Sequence, residues 1–234
     1  MIKAVLFDLD GTLLPMDQDK FLNGYFGMLG AKVQSVGYDA AFFLRGIKLG
    51  TYAMITNDGK KTNEEAFWDA FHAHYADRAA PPVGVLDEFY ENDFHKTAAF
   101  FGNTERSREM IDLCRKKGFL TALATNPVFP AIATRIRMGH VGLSPDDFAL
   151  VTTYENSSFC KPNVAYFREV AEKLGVMPEE CLMVGNDVSD DMPAREVGMQ
   201  VFLLTDCLIN AKGEELSQYP HGGFDELAAY IRNL

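Results

Sequence analysis

The sequence predicts an α/β fold, a doubly wound parallel sheet with a smaller helical domain inserted in it. Short apolar runs recur at 4–7, at "FLTALAT" (119–125), "FALVTT" (148–153), "CLMVG" (181–185) and "QVFLLT" (200–205). Runs of that length without a polar alternation read as strands buried on both faces. Helix-like segments at about 104–117, 128–139, 163–174 and 190–197 lie between the later runs, with start signals at Asn103, Pro127 and Pro162. Alternating strands and helices specify a parallel sheet covered on both sides.

Residues 15–103 break that rhythm, being rich in Phe, Tyr and Ala and poor in strand-like runs. Within them "KTNEEAFWDAFHAHY" carries a capping box, Thr62 with Glu65, followed by Phe67, Trp68, Phe71 and Tyr75 at helical spacing. That period makes Trp68 and its phenylalanines core residues of the insert rather than a substrate platform. Pro81-Pro82 marks a break between helices. An insert placed straight after the first strand sits above the sheet end where open α/β folds bind ligands, so it reads as a cap domain. The predicted organisation is a core of residues 1–14 and 104–234 and a cap of 15–103.

Composition narrows the function classes. The chain of 234 residues is 47% hydrophobic and 24% charged, a globular balance. Its 33 acidic and 22 basic residues give a formal charge of −11, which argues against nucleic-acid or anionic-membrane partners. The run Arg115-Lys116-Lys117 before Gly118 reads as a helix C-terminus. No apolar run approaches the roughly 20 residues of a membrane span. Cysteines at 114, 160, 181 and 207 show no C-x-x-C spacing, and nothing ahead of them reads as a secretory leader, so the expected location is cytoplasmic. The five histidines lack ligand spacing, Asp17 and Asp19 read as a solvated loop, and Arg45 and Lys48 as a solvated helix face. Oligomeric state is not legible.

The chemistry is concentrated at strand ends. "VLFDLDGTLL" places Asp8 and Asp10 two residues apart where the first strand should end, hence on one side of the chain, and Gly11-Thr12 then turns it away. "LATNP" ends a strand with Thr125 and Asn126, a hydroxyl and backbone N–H groups suited to an oxyanion. "FCKPN" offers Lys161 as a point cation for phosphate. "MVGNDVSDDM" supplies Asp187, Asp190 and Asp191, hard oxygen ligands of the kind magnesium selects. Each feature alone is an ordinary cap or turn; four of them on successive strand ends are not.

In these motifs the chain resembles the haloacid dehalogenase-like (HAD) hydrolases, most of which are magnesium-dependent phosphatases. Asp8-Leu9-Asp10-Gly11-Thr12 matches the family's D-x-D-G-T motif, Thr125 its second, Lys161-Pro162 its third, and Asp187 with Asp191 its acidic fourth, from which Asn186 is a small departure. The resemblance covers 1–14 and about 104–205. It implies Asp8 as nucleophile and Asp10 as acid and base. It further implies Mg2+ held by the Asp8 carboxylate, the Asp10 main-chain carbonyl and Asp187, with Asp191 next in rank and Asp190 third. Thr125, the Asn126 N–H and Lys161 would bind the phosphoryl oxygens. The implied activity is hydrolysis of a small phosphorylated metabolite through an aspartyl-phosphate. A phosphoglucomutase-like transferase shares these residues. A metal-free dehalogenase lacks the second aspartate, and a pure binding module needs no nucleophile.

Overall fold

The computed structural model describes all 234 residues, Met1–Leu234. Six parallel strands form one sheet in the order β3-β2-β1-β4-β5-β6: β1 Ala4–Phe7, β2 Leu120–Leu123, β3 Leu150–Val151, β4 Cys181–Gly185, β5 Gln200–Leu204 and β6 His221–Gly222. The chain moves outward from β1 in one direction to β2 and β3 and in the other from β4 to β6, so the order reverses between β1 and β4. Such switch points open a crevice at the carboxyl ends of the strands.

Alternation along β1 explains the two layers. Val5 and Phe7 pack with Met110 and Ile111 of α5 (Arg106–Lys116) and Leu227 and Ile231 of α8 (Phe224–Arg232). Ala4 and Leu6 pack on the other face with Phe167 and Val170 of α7 (Val164–Leu174). Both faces are therefore apolar, which is why the strands show no polar alternation.

The helical segment comprises α1 (Gln18–Ser35), α2 (Ala40–Ile55), α3 (Asn63–His74) and α4 (Val83–Glu88), continued by a π turn over Phe89–Asp93 and a 3-10 stretch over Phe94–Phe100. The Thr62–Glu65 capping box is present. Phe21, Phe43, Phe71, Phe89 and Phe94 form this segment's own core. The chain leaves and re-enters the sheet domain side by side: Met16 bridges Phe101, and the Gly102 N–H donates to the Pro15 carbonyl at 2.7 Å. Asn63 docks α3 onto the sheet domain, its amide donating to the Pro127 and Phe159 carbonyls at 3.2 and 3.3 Å. No helix is long and apolar enough to cross a membrane.

Several local expectations are corrected. The helix α6 (Ala131–His140) starts after Pro130 rather than at Pro127, so a loop separates Thr125 from it. The segment expected to be helical at 190–197 is 3-10 over Met192–Val197, with Pro193 near its start and left-handed Gly198 ending it. Asn163, not Pro162, caps α7, accepting from the Ala165 N–H at 3.0 Å. Asp17 caps α1 rather than lying in a loop, accepting from the Lys20 N–H at 3.1 Å. Strand β6 and helix α8 lie outside the runs that the sequence pattern marks.

Asp147 joins α5 to the turn before β3, accepting from both Nη atoms of Arg108 at 2.6 and 2.8 Å and from the Ser144 N–H at 2.8 Å. The Arg108 guanidinium holds its carboxyl well below the usual range. A depressed acid stabilises the fold above its unfolded value of about 3.9 and loses that contribution as pH falls through its folded value. Asp147→Asn is therefore expected to cost about 1–3 kcal/mol at pH 7 in urea unfolding, with the gap to the parent narrowing below pH ~4.

Candidate active site

Strand ends and the loops that follow them carry Asp8, Asp10, Thr125, Asn126, Lys161, Asp187, Asp190 and Asp191 to the wall of one cavity of about 250 Å³. Gln18, Phe21, Leu22, Phe26 and Thr51 of the helical segment close its other side. Asp8 follows β1 directly, its N–H still donating to the Val184 carbonyl of β4 at 2.9 Å, so it and Asp187 flank the switch point.

Lys161 is the electrostatic centre. Its side chain is 1% exposed, and Nζ donates to Asp8 Oδ1 at 2.9 Å and Asp191 Oδ1 at 2.6 Å. Burial works against the ammonium, yet Asp191 and then Asp8 hold its pKa above the ordinary value. Burial likewise raises Asp191, with Lys161 pulling it down and Asp8 pushing it up. Contacts this short on both sides favour a charged ammonium shared by two carboxylates.

Asp191 also accepts the Asp187 N–H at 3.0 Å, and a Cβ on Gly185 would lie 2.1 Å from its carboxyl. Glycine at the end of β4 is thus the space that Asp191 occupies. Asp187 Oδ1 accepts the Ser189 and Asp190 N–H groups at 2.7 and 3.2 Å. Asn126 spans the site, its amide 3.4 Å from Asp190 Oδ2 and its carbonyl accepting the Lys161 N–H at 3.2 Å.

Two residues acquire roles that sequence reasoning missed. Arg137 of α6, wholly buried, pairs through Nη1 with Asp10 Oδ2 and lies 4.5 Å from the Phe129 ring centroid. Its guanidinium opposes the effect of burial, which with the Asp8 charge raises the Asp10 carboxyl. Asp10 Oδ1 is buried with no protein partner. Nothing in the sequence links positions 10 and 137, since an arginine late in an amphipathic helix reads as a dipole partner. Asn186, a departure from the commonest motif, ties the β4 loop to the β1 loop by accepting from Thr12 Oγ1 at 2.9 Å, and to the loop after β5 by donating to the Cys207 carbonyl at 2.7 Å.

Arg137→Ala is expected to destabilise the fold by about 3–5 kcal/mol, because it strands a largely buried carboxylate. Adding Asp10→Asn to that variant should restore part of the loss in thermal unfolding.

The cavity holds five aspartates and one lysine, with Arg137 behind Asp10. Burial and the Asp187 charge also raise the Asp190 carboxyl. An excess of confined hard oxygens is a donor set that a small divalent cation relieves. No three His, Cys, Asp or Glu side chains converge as a ready-made cage. Hard oxygen donors of this kind suit an ion such as magnesium, which keeps several waters among its ligands.

The sequence profile of the haloacid dehalogenase-like hydrolases matches residues 2–198. The chain belongs to this family. It is 28% identical over 200 residues to a phosphoglycolate phosphatase of Xylella fastidiosa, covering 84% of this chain and 77% of that one. It is 24% identical over 220 residues to a glyceraldehyde 3-phosphate phosphatase of Methanothermobacter thermautotrophicus, covering 93% and 92%. A HAD family enzyme from Bacteroides thetaiotaomicron, crystallised with magnesium and inorganic phosphate, shares the fold at a TM-score of 0.54 and 17% identity over 93% and 98% of the two chains.

The histidines and the α2 cations stay apart from this site. Arg45 and Lys48 are exposed on α2 and do not line the cavity. Trp68 packs edge-on against Phe67 and Phe71 at the margin of the helical segment's core, as its period implies, and its half-buried ring also lines a second, larger cavity beside the first.

Proposed function

We propose that this HAD hydrolase is a magnesium-dependent phosphatase that releases inorganic phosphate from a small phosphorylated metabolite through an aspartyl-phosphate on Asp8. The observation that carries this reading is the Lys161 ammonium bonded to Asp8 and Asp191 inside the cavity lined by Asp10 and Thr125. Residues 15–103 serve as the cap, docked through Asn63 and joined to the core by the paired crossings at Met16 and Phe101.

Lys161 occupies Asp8 Oδ1, which directs the other carboxylate oxygen to the phosphorus. Asp10, with its pKa raised by burial, is suited to protonate the leaving oxygen and then to take a proton from the water that cleaves the acyl phosphate. Arg137 fixes the Asp10 carboxyl for both steps. Thr125, Asn126 and Lys161 bind the phosphoryl oxygens, stabilising charge as it redistributes. The Asp8 and Asp187 carboxylates and the Asp10 main-chain carbonyl would hold magnesium, and Asp191 would orient that ligand set through Lys161 and the Asp187 N–H. When bound, the ion supplies charge that offsets repulsion between an anionic nucleophile and an anionic substrate.

The test is release of inorganic phosphate from a panel of sugar phosphates, phosphorylated acids and aryl phosphates, with magnesium and with chelator. Release in magnesium that chelator abolishes is the expected result. Equal release in both would remove the metal from the reading, and no release from any ester would remove the phosphatase.

A further inference from the structure

Beside the catalytic cavity lies a second one of about 600 Å³, and the two share Leu22, Phe26, Thr51, Val128 and Phe129 as walls. A phosphate ester seated at Asp8 would therefore extend its organic part into this space. Its size falls within the range of small-molecule sites. Phe67, Trp68, Tyr90, Phe129 and Tyr154 give it aromatic walls.

Charge on its lining has one sign. Glu64, Asp87 and Glu155 border the cavity, no Lys or Arg does, and the only other titratable nitrogen is the exposed His72, which stacks on Trp68. Glu155 Oε1 accepts the Ala131 N–H at 2.8 Å, whereas Oε2 is buried with no partner. Burial, and then the Glu155 charge, raise the Glu64 carboxyl. A buried carboxylate oxygen without a donor is costly, and aromatic faces attract cations. A second carboxylate on the substrate would add repulsion to that cost.

Resting on the phosphatase reading, we infer that the preferred substrate is a phosphomonoester whose leaving group is an apolar, ring-sized body bearing a protonated nitrogen. A leaving group with a carboxylate, like that of phosphoglycolate, is disfavoured.

Three esters with one ring separate the terms: 4-(aminomethyl)phenyl, 4-methylphenyl and 4-carboxyphenyl phosphate. The expected kcat/KM order is ammonium, methyl, carboxylate, with about tenfold between the first and second, the scale of a hydrogen bond to a charged group. Glu155→Gln, and independently Glu64→Gln should the first variant not fold, is expected to narrow the ammonium-to-carboxylate ratio at least about fivefold, part of the same charge-pair effect. Trp68 is the chain's single tryptophan, so its fluorescence reports binding of 4-(aminomethyl)phenol and 4-hydroxybenzoate without turnover. Release of phosphate with equal rates for the three esters, or with the carboxylate ahead, overturns the inference. Failure of every ester while Trp68 still responds at lower concentration to the aminomethyl phenol would sink the phosphatase and keep the cavity's preference. Failure of both would sink both.

Discussion

Asp8→Asn is expected to reduce phosphate release by roughly 10⁴-fold or more, the scale seen when a nucleophile is removed from a catalytic unit. An amide retains the shape of the carboxylate but cannot form the acyl phosphate. Asp191, 2.6 Å from Lys161 in the parent, still pairs with the ammonium, so the fold of the variant should survive with an unchanged circular dichroism spectrum. Rapid quenching of the parent should trap phosphate on the protein, and the variant should trap none. A variant that retains a few per cent of the parent rate would show that Asp8 acts through its charge, not its nucleophilicity.

Lys161→Met is expected to have two effects because the ammonium serves two ends. Removing it leaves the buried Asp8 and Asp191 facing each other without a cation, at an expected cost of about 3–5 kcal/mol. For a chain of this size that corresponds to a fall in Tm of roughly 6–20 °C. Phosphate release should fall by roughly 10²–10³-fold as one stabilising donor is lost. Adding Asp191→Asn to Lys161→Met should recover part of the stability and none of the activity. An unchanged Tm in the single variant would mean that the two Lys161 ion pairs contribute nothing to the stability of the fold.

The legibility of this chain differs between its parts for physical reasons. Strands β1, β4 and β5 are four or five residues long and buried on both faces, so hydrophobicity alone outlines them. Strand β3 has only two residues yet lies inside the apolar run at 148–153, whereas β6, His221 and Gly222, is too short and too polar to leave a pattern. The 3-10 turn over Met192–Val197 looked helical because its apolar spacing is compatible with either winding, and Pro193 and Gly198 decided against α. Trp68 sat on the helical period of Phe67 and Phe71, yet its ring lines a cavity wall, since period assigns a face and not its occupant.

By itself the sequence determined the fold class, the family and the residue types at each strand end, because parallel strands place their C-terminal residues at a common edge and that edge is fixed by local pattern. Asp8, Asp10, Thr125 and Asp187 could be named on that ground, and Lys161 from its place before Pro162 and the helix α7. Only the tertiary structure decided which charges neutralise which. Asp191, rather than Asp190, meets Lys161, and Arg137, more than a hundred residues away, meets Asp10. The lining of the larger cavity is likewise a tertiary result, drawing Trp68 and Glu64 from α3 and Glu155 from the loop after β3. Pairing energies depend on distance and burial, and neither quantity exists until the chain has closed upon itself.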